Sequence, residues 1–472
     1  MTDLGPTSTA LELAAALRRR ELSSTELLDA CLEEVDRLNP ELNAVIWRND
    51  DEGRAAAAEA DRALAGGAEG QPFLGVPMPI KDLTPVAGWP VTYGSNGAPE
   101  GPSAESEMVV DAFRAAGFVL TARTNTPEFG PITVAENSRY GISRNPWDPD
   151  HTPGGSSGGA GSATAAGMFP IAHANDGGGS IRIPASCCGL VGLKTSRGRV
   201  PRLAQSWLGA VVEGVVSRDV ADSAAVLDAI AGPDPHAWFN APVPERPFAE
   251  EVGADPGKLR IGIQTASPFG LPVDEDCVVA AQDAAKALEE LGHSVETIEL
   301  PVDPQQLIEN FVVLANAGLA DYAGVDWSKT EPHVRSQHAQ GEATSSLRFA
   351  EAARTLELLS RQIVSLWDDL DLVISPTLSI VPPVAGTVLE MVHANPDEPA
   401  TPVVQMVTFT AAFNTTGQPA ISLPLHWTDA GLPVGVQLVG KPFDEVTVIR
   451  VAGQLEQARP WRDRRPELAG AA

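Results

Sequence analysis

The chain has 472 residues, with 62 Asp and Glu against 33 Lys and Arg, a net charge of −29 and 43% hydrophobic residues. That length exceeds what one small core fills and predicts a large α/β domain with lobes. The acidic balance excludes nucleic acid as a partner, because phosphates select Lys and Arg clusters, and reads instead as a solubilising surface.

The N-terminal stretch MTDLGPTSTALELAAALRRREL lacks a basic start followed by an apolar core and a small-residue cleavage site. No long uncharged apolar run follows, so a cytoplasmic protein without membrane association is expected. Ser23-Ser24-Thr25-Glu26 is a capping box that opens an amphipathic helix through Leu28, Cys31, Leu32 and Val35, expected to stop before Asn39-Pro40. A second, alanine-rich helix is predicted over Asp51 to Ala65, ending at Gly66-Gly67. After Gly75, Val76 to Asp82 reads as a short strand whose alternation sends Lys81 and Asp82 to opposite faces, one of them inward.

Ser106 to Thr124 predicts a helix, Gly117 and the apolar strand Phe118-Val119-Leu120, an α/β unit. The stretch His151 to Lys194 then carries two glycine-framed serine sites, Gly154-Gly155-Ser156-Ser157-Gly158-Gly159 and Gly177-Gly178-Gly179-Ser180. The first run opens onto a small-residue helix from Ala160 to Met168 and a strand from Phe169 to Ala174, which a flexible linker would not do. Val191 to Lys194 continues the sheet and Asp222 to Ala231 supplies a helix.

Asp234 to Gly257, rich in Pro and polar residues, is the linker candidate between halves of about 1–240 and 255–472 within one domain. A βαβ unit follows, with a strand at Leu259 to Ile263, a helix at Val278 to Leu291 and a strand at His293 to Leu300. From Pro304 to Leu370 the pattern is helical, and Pro376 to Pro402 reads as a long loop region. Ala411 to Pro424 and Leu432 to Gly440 return to the sheet, and Glu445 to Gln457 is a terminal helix. The irregular span from about 304 to 402 is expected to form the substrate pocket, with Asn316 as its one polar candidate in the apolar run Phe311 to Ala317.

Cys31, Cys187, Cys188 and Cys277 lack zinc-ligand spacing, and Cys187-Cys188 is expected to fill the core rather than to act as a redox pair. The eight histidines are scattered, so no metal site is expected. Ser180 follows three glycines whose N–H groups carry no side-chain screen, which suits acyl transfer. A serine nucleophile needs a base. Lys81 is the only lysine before Lys194, and a buried lysine can be neutral near pH 7 whereas arginine cannot.

Lys81, the Gly-Gly-Ser156-Ser157-Gly-Gly run and Asp176-Gly-Gly-Gly-Ser180-Ile-Arg182-Ile-Pro184 together resemble the amidase signature family. The resemblance extends through Arg114-Ala-Ala-Gly-Phe, Arg123-Thr-Asn-Thr-Pro-Glu128, Arg144-Asn-Pro-Trp147, Phe413 to Pro424 and Pro433 to Gln437. It implies an α/β fold with a large mixed, twisted sheet covered by helices on both faces. It also implies amide hydrolysis through a Ser–cis-Ser–Lys triad, without cofactor. By position, the nucleophile falls on Ser180, the bridging serine in a cis peptide bond on Ser156, and the base on Lys81. The oxyanion loop falls on Gly177, Gly178 and Gly179, supported by Asp176, Arg182 and Ser157.

The branch around Cys188-Gly-Leu-Val-Gly-Leu-Lys194 is similar to 6-aminohexanoate cyclic-dimer hydrolases and broad-specificity amidases, some of whose relatives hydrolyse aryl amides or carbamates. A small-molecule amide or carbamate is the implied partner, and a homodimer is allowed. One departure is Gly177, where many members of the family carry a larger apolar residue; a looser oxyanion loop is expected from it. Two rival functions stand beside this one. Gly155-Ser156-Ser157-Gly158-Gly159 matches a nucleophile elbow with Ser157 attacking, for which Asp371 and His393 or His426 would complete a triad. The amidotransferase subunit of tRNA-dependent glutamine synthesis shares the Ser–Ser–Lys unit but works with partner subunits. An anion-binding glycine loop fits least, because no Lys-Ser/Thr follows Gly159.

Overall fold

Side-chain caps set the first two helices. Thr9 and Ser23 accept the N–H groups of Glu12 and Glu26, whose carboxylates reach back to the cap N–H groups, and helices Ala10–Arg19 and Ser24–Leu42 follow. The computed structural model describes residues 4–468. The second helix runs past its expected stop because Pro40 lies in the last turn, exposed, where its missing N–H costs a single hydrogen bond. Asn39 then accepts the N–H groups of Ala44 and Val45, both at 2.8 Å, and steers the chain into the first strand.

β1 (Val45–Arg48), β2 (Pro77–Lys81) and β3 (Val119–Thr124) form a small sheet in which β3 is central, antiparallel to β1 and parallel to β2. Both Lys81 and Asp82 are fully buried, so the expectation that only one faces inward fails. The small sheet is covered on both sides, and each residue has buried partners: Ser156 and Asn175 for Lys81, Thr92 and Arg123 for Asp82. A short hairpin, β4 (Glu136–Asn137) with β5 (Gly141–Ile142), follows.

The large sheet contains β6 (Ala172–Asp176), β7 (Val191–Lys194), β8 (Val212–Ser217), β9 (Arg260–Ile263), β10 (Ser294–Thr297), β11 (Leu372–Pro376), β12 (Ala420–Trp427) and β13 (Pro433–Val439). Its order is β10-β9-β11-β13-β12-β7-β8-β6. The β9 pairs with β10 and β11 are parallel and the remaining five are antiparallel, so the sheet is mixed. The antiparallel pairing of β12 with β7, Ala420 opposite Lys194, joins strands from before and after the Asp234 to Gly257 linker.

β13 shows how both faces are covered. Val434 and Val436 pack with Cys277, Ala280 and Ala284 of helix Glu275–Glu290 on one side. Gly435 and Gln437 meet Ser186 and Arg182 of helix Arg182–Cys188 on the other, the alternation expected of a strand. Gly435 is required there, since a Cβ would lie 2.5 Å from Ser422 Oγ and 2.7 Å from Ser186 Cβ.

Further elements differ from the sequence expectation. Ala411–Thr416 is a helix ended by Gly417 at φ 77°, and the strand begins only at Ala420. The span Pro376 to Pro402 is not wholly loop, because Thr387–Ala394 is helical, with Val388 and Val392 buried against the core. β10 covers only Ser294–Thr297 of the expected His293 to Leu300. Among the described residues, no helix is long and apolar enough to cross a membrane. All four cysteines are free and buried, and burial raises each thiol above its usual range, which suits filler rather than reactive groups.

Candidate active site

β2 delivers Lys81 from the small sheet to the edge of β6. Its Nζ lies 2.7 Å from Ser156 Oγ and 2.7 Å from Asn175 Oδ1, and the side chain is completely enclosed. Burial pushes the amine down to about 7, against the opposing pull of Glu213 and Asp176. Because its two hydrogen-bonding neighbours are neutral, the amine can hold or release a proton without breaking an ion pair. The Gly155–Ser156 peptide bond is cis.

His173 and Glu213 fix the strand that carries the lysine. The backbone N–H of Lys81 donates to His173 Nδ1 at 3.3 Å, which places the ring proton on Nε2, 2.9 Å from Glu213 Oε2. Arg202 pairs with the other oxygen of Glu213. Burial favours the neutral acid, but Arg202 and His173 outweigh it and hold Glu213 below the usual carboxylate range.

The turn after β6 presents Ser180. Gly179 adopts φ 137°, open only to glycine, and a Cβ there would sit 2.5 Å from Thr410 Oγ1. Asp176 binds the turn from below: Oδ1 accepts the Gly179 N–H at 2.7 Å and Oδ2 accepts the Ile181 N–H at 3.2 Å. Arg182 grips the same carboxylate with Nε and an η nitrogen, both at 3.0 Å, and Asn414 adds Nδ2 at 2.8 Å. Burial would raise the acid, yet the Arg182 charge and these hydrogen bonds hold it well below the usual range. An ionised Asp176 is therefore part of the turn.

Gly177, Gly178, Ser180, Ser156 and Asn175 line one cavity of about 240 Å³. Of the three glycines expected to supply donors, Gly179 stands apart, because its N–H is already engaged by Asp176 and it does not line the cavity. Ser157 is also off the wall; its Oγ donates to the Asn175 carbonyl at 3.3 Å and the residue is fully buried. No histidine stands beside it among the described residues: His393 meets Glu331, His426 meets Asp276, and Asp371 pairs with Lys441. The elbow arrangement is not formed.

Asn316 lies in helix Pro304–Ala317 and lines the cavity, its Nδ2 donating to Gln340 Oε1 at 3.1 Å. Leu307, Phe311 and Ala315 of the same helix add apolar lining to the cavity that holds the serines. Trp207 was not anticipated. Its ring stands 5.6 Å from Phe311, edge to face, and a Cβ on Gly177 would fall 2.8 Å from Trp207 Cζ3. The indole thus occupies the space that a larger side chain at 177 would take. Asn175 carries no sequence signal of its own; its Oδ1 on Lys81 depends on β6 lying beside β2, which no local motif announces.

The amidase family model matches residues 26–449. The 6-aminohexanoate-cyclic-dimer hydrolase of Paenarthrobacter ureafaciens is 37% identical, over 96% of this chain and 95% of that protein. A solved structure of 6-aminohexanoate cyclic dimer hydrolase complexed with substrate superposes with a TM-score of 0.90 at 34% identity, covering 98% of this chain and 99% of the other. A bacterial aryl acylamidase of the amidase signature family gives a TM-score of 0.87 at 25% identity, over 96% of each chain. With the glycine-serine core, the mixed sheet and a match over most of its length, the chain belongs to the amidase family and is a hydrolase acting on carbon–nitrogen bonds other than peptide bonds.

Proposed function

We propose that the chain cleaves small amides through an acyl-enzyme, with Ser180 as nucleophile, Ser156 as proton relay and Lys81 as base. The observation that carries this reading is the buried Lys81 amine 2.7 Å from Ser156 Oγ, with no carboxylate bonded to it. A neutral amine has one lone pair and two hydrogens. The lone pair accepts the Ser156 hydroxyl proton while one hydrogen donates to Asn175 Oδ1.

As Ser180 Oγ attacks the carbonyl carbon, its proton passes to Ser156 and the Ser156 proton to Lys81. Gly177 and Gly178, which line the cavity, are assigned the N–H groups that meet the developing oxyanion, with Gly179 N–H and Asp176 holding the turn. The ammonium then returns its proton through Ser156 to the leaving amine, and water cleaves the ester by the same relay.

The apolar wall of Leu307, Phe311 and Trp207 favours amides with an extended aliphatic or aryl portion, and the similarity to 6-aminohexanoate-cyclic-dimer hydrolase supports aminohexanoate oligomers first. Aryl amides and carbamates are the second class, supported by the aryl acylamidase likeness and the aromatic lining. Hydrolysis should be measured across cyclic and linear aminohexanoate oligomers, aryl amides, carbamates and glutamine, for the wild type, Ser180→Ala and Ser157→Ala. The expected result is hydrolysis by the chain alone, abolished in Ser180→Ala and largely kept in Ser157→Ala. Turnover of glutamine only, or only in the presence of partner subunits, would favour the amidotransferase function.

A further inference from the structure

Outside the serine–lysine cluster, Glu331, His333 and His393 bring three ligand-type atoms within 4.8 Å of one another. Glu331 Oε2 is 3.2 Å from His393 Nε2 and 3.6 Å from His333 Nδ1. His333 is 2% exposed, yet neither of its ring nitrogens has a hydrogen-bond partner. A buried imidazole with both nitrogens unpartnered is costly, since its lost hydration is not replaced. The polar surroundings are otherwise complete: Ser138 N–H donates to Glu331 Oε1 at 2.5 Å, and Glu331 N–H donates to Glu128 Oε2 at 2.6 Å. Glu331 Oε1 is therefore fixed and Oε2 is turned toward the two imidazoles.

We propose that Glu331, His333 and His393 form a site for a zinc-class divalent ion at the rim of the substrate cavity. A tetrahedral zinc ion with bonds of about 2.0–2.2 Å sets its ligand atoms roughly 3.3 Å apart, close to the two spacings from Glu331 Oε2 to the histidines. Two imidazoles and one carboxylate oxygen select zinc and its transition-metal neighbours over calcium or magnesium, which require more oxygen ligands. The Ser138 N–H on Glu331 supplies the outer hydrogen bond that orients such a carboxylate.

Glu331 caps helix Pro332–Ala343, which carries His333, and His393 belongs to helix Thr387–Ala394. The ion ties these two parts of the cover together, and its fourth ligand, water or the far end of a substrate, comes from the cavity that His333 lines. Scattered histidines in the sequence hide this site, because the fold alone brings residues 333 and 393 together.

The full chain, stripped with chelator, should be titrated with zinc chloride by calorimetry, with the melting temperature followed in parallel. The expected result is one saturable equivalent per chain, a raised melting temperature, and no displacement by excess magnesium. His393→Ala and His333→Ala should each weaken zinc binding at least about tenfold. Lys81→Ala, which lies outside the cluster, should bind zinc as the wild type does. His393 is partly exposed and its removal spares the core, so it decides the matter should His333→Ala fail to fold. Absence of saturable binding in the wild type, or unchanged affinity in His393→Ala, would overturn the site.

Discussion

At the scale of single residues, Lys81 gives the account its pH dependence. Burial lowers the amine from 10.5 to about 7, so the neutral form grows as pH rises, and kcat/KM should climb through neutrality and level off in the mildly alkaline range. Stability follows the same sign. Between pH 7 and 10.5 the unfolded chain binds the proton that the folded chain has released, so this residue's contribution to stability rises with pH across that window and is least favourable below it. The melting-temperature gap between Lys81→Met and wild type should therefore favour the variant most near pH 7 and narrow towards pH 10. Lys81→Arg, which cannot deprotonate, should lose several orders of magnitude in kcat, comparable to Lys81→Ala. A flat pH–rate profile across neutrality, or an active Lys81→Arg, would place the base elsewhere. Lys81 was legible because it is isolated among arginines; Asn175 and the His173–Glu213 pair were not, because each acts through a strand neighbour distant in sequence.

At the scale of elements, the turn after β6 and the Trp207 segment form a matched pair. Trp207 and Leu208 both have left-handed φ, at 52° and 54°, which swings the indole over Gly177. Gly177→Ala should clash with Trp207 and lower kcat/KM, and Trp207→Ala should relieve that clash while admitting bulkier acyl groups. In a double-mutant cycle the two should be non-additive, with a coupling of about 0.5–3 kcal/mol; additive effects would separate them. The Ser23–Glu26 capping box was readable because it depends on neighbouring residues. The helix at Ala411–Thr416 was not: its apolar residues are buried all round, so neither helical nor strand periodicity survives. Thr387–Ala394 was hidden by flanking prolines, although its buried Val388 and Val392 lie four residues apart on one face.

At the scale of the whole molecule, β7 and β12 join the two halves edge to edge, and the Asp176 turn is held by Arg182 and by Asn414 from the second half. Such a sheet cannot open on one side without exposing the other, so calorimetry should show one main unfolding transition for residues 1–472; two well-separated transitions would mean independent halves. The expected division into halves, linker and pocket-forming insertion rests on composition, whereas the sheet order, which seats Lys81 against a serine 75 residues away, depends on long-range pairing that no local pattern carries. The central claim is that Ser180 becomes acylated. Its most direct measurement is labelling with a fluorophosphonate followed by peptide mass spectrometry, in wild type and in Lys81→Ala. One modification per chain is expected, on Ser180 and much slower in Lys81→Ala; a label on Ser156, Ser157 or any other residue, or equal labelling rates in the two proteins, would rule out Ser180 as the nucleophile activated by Lys81.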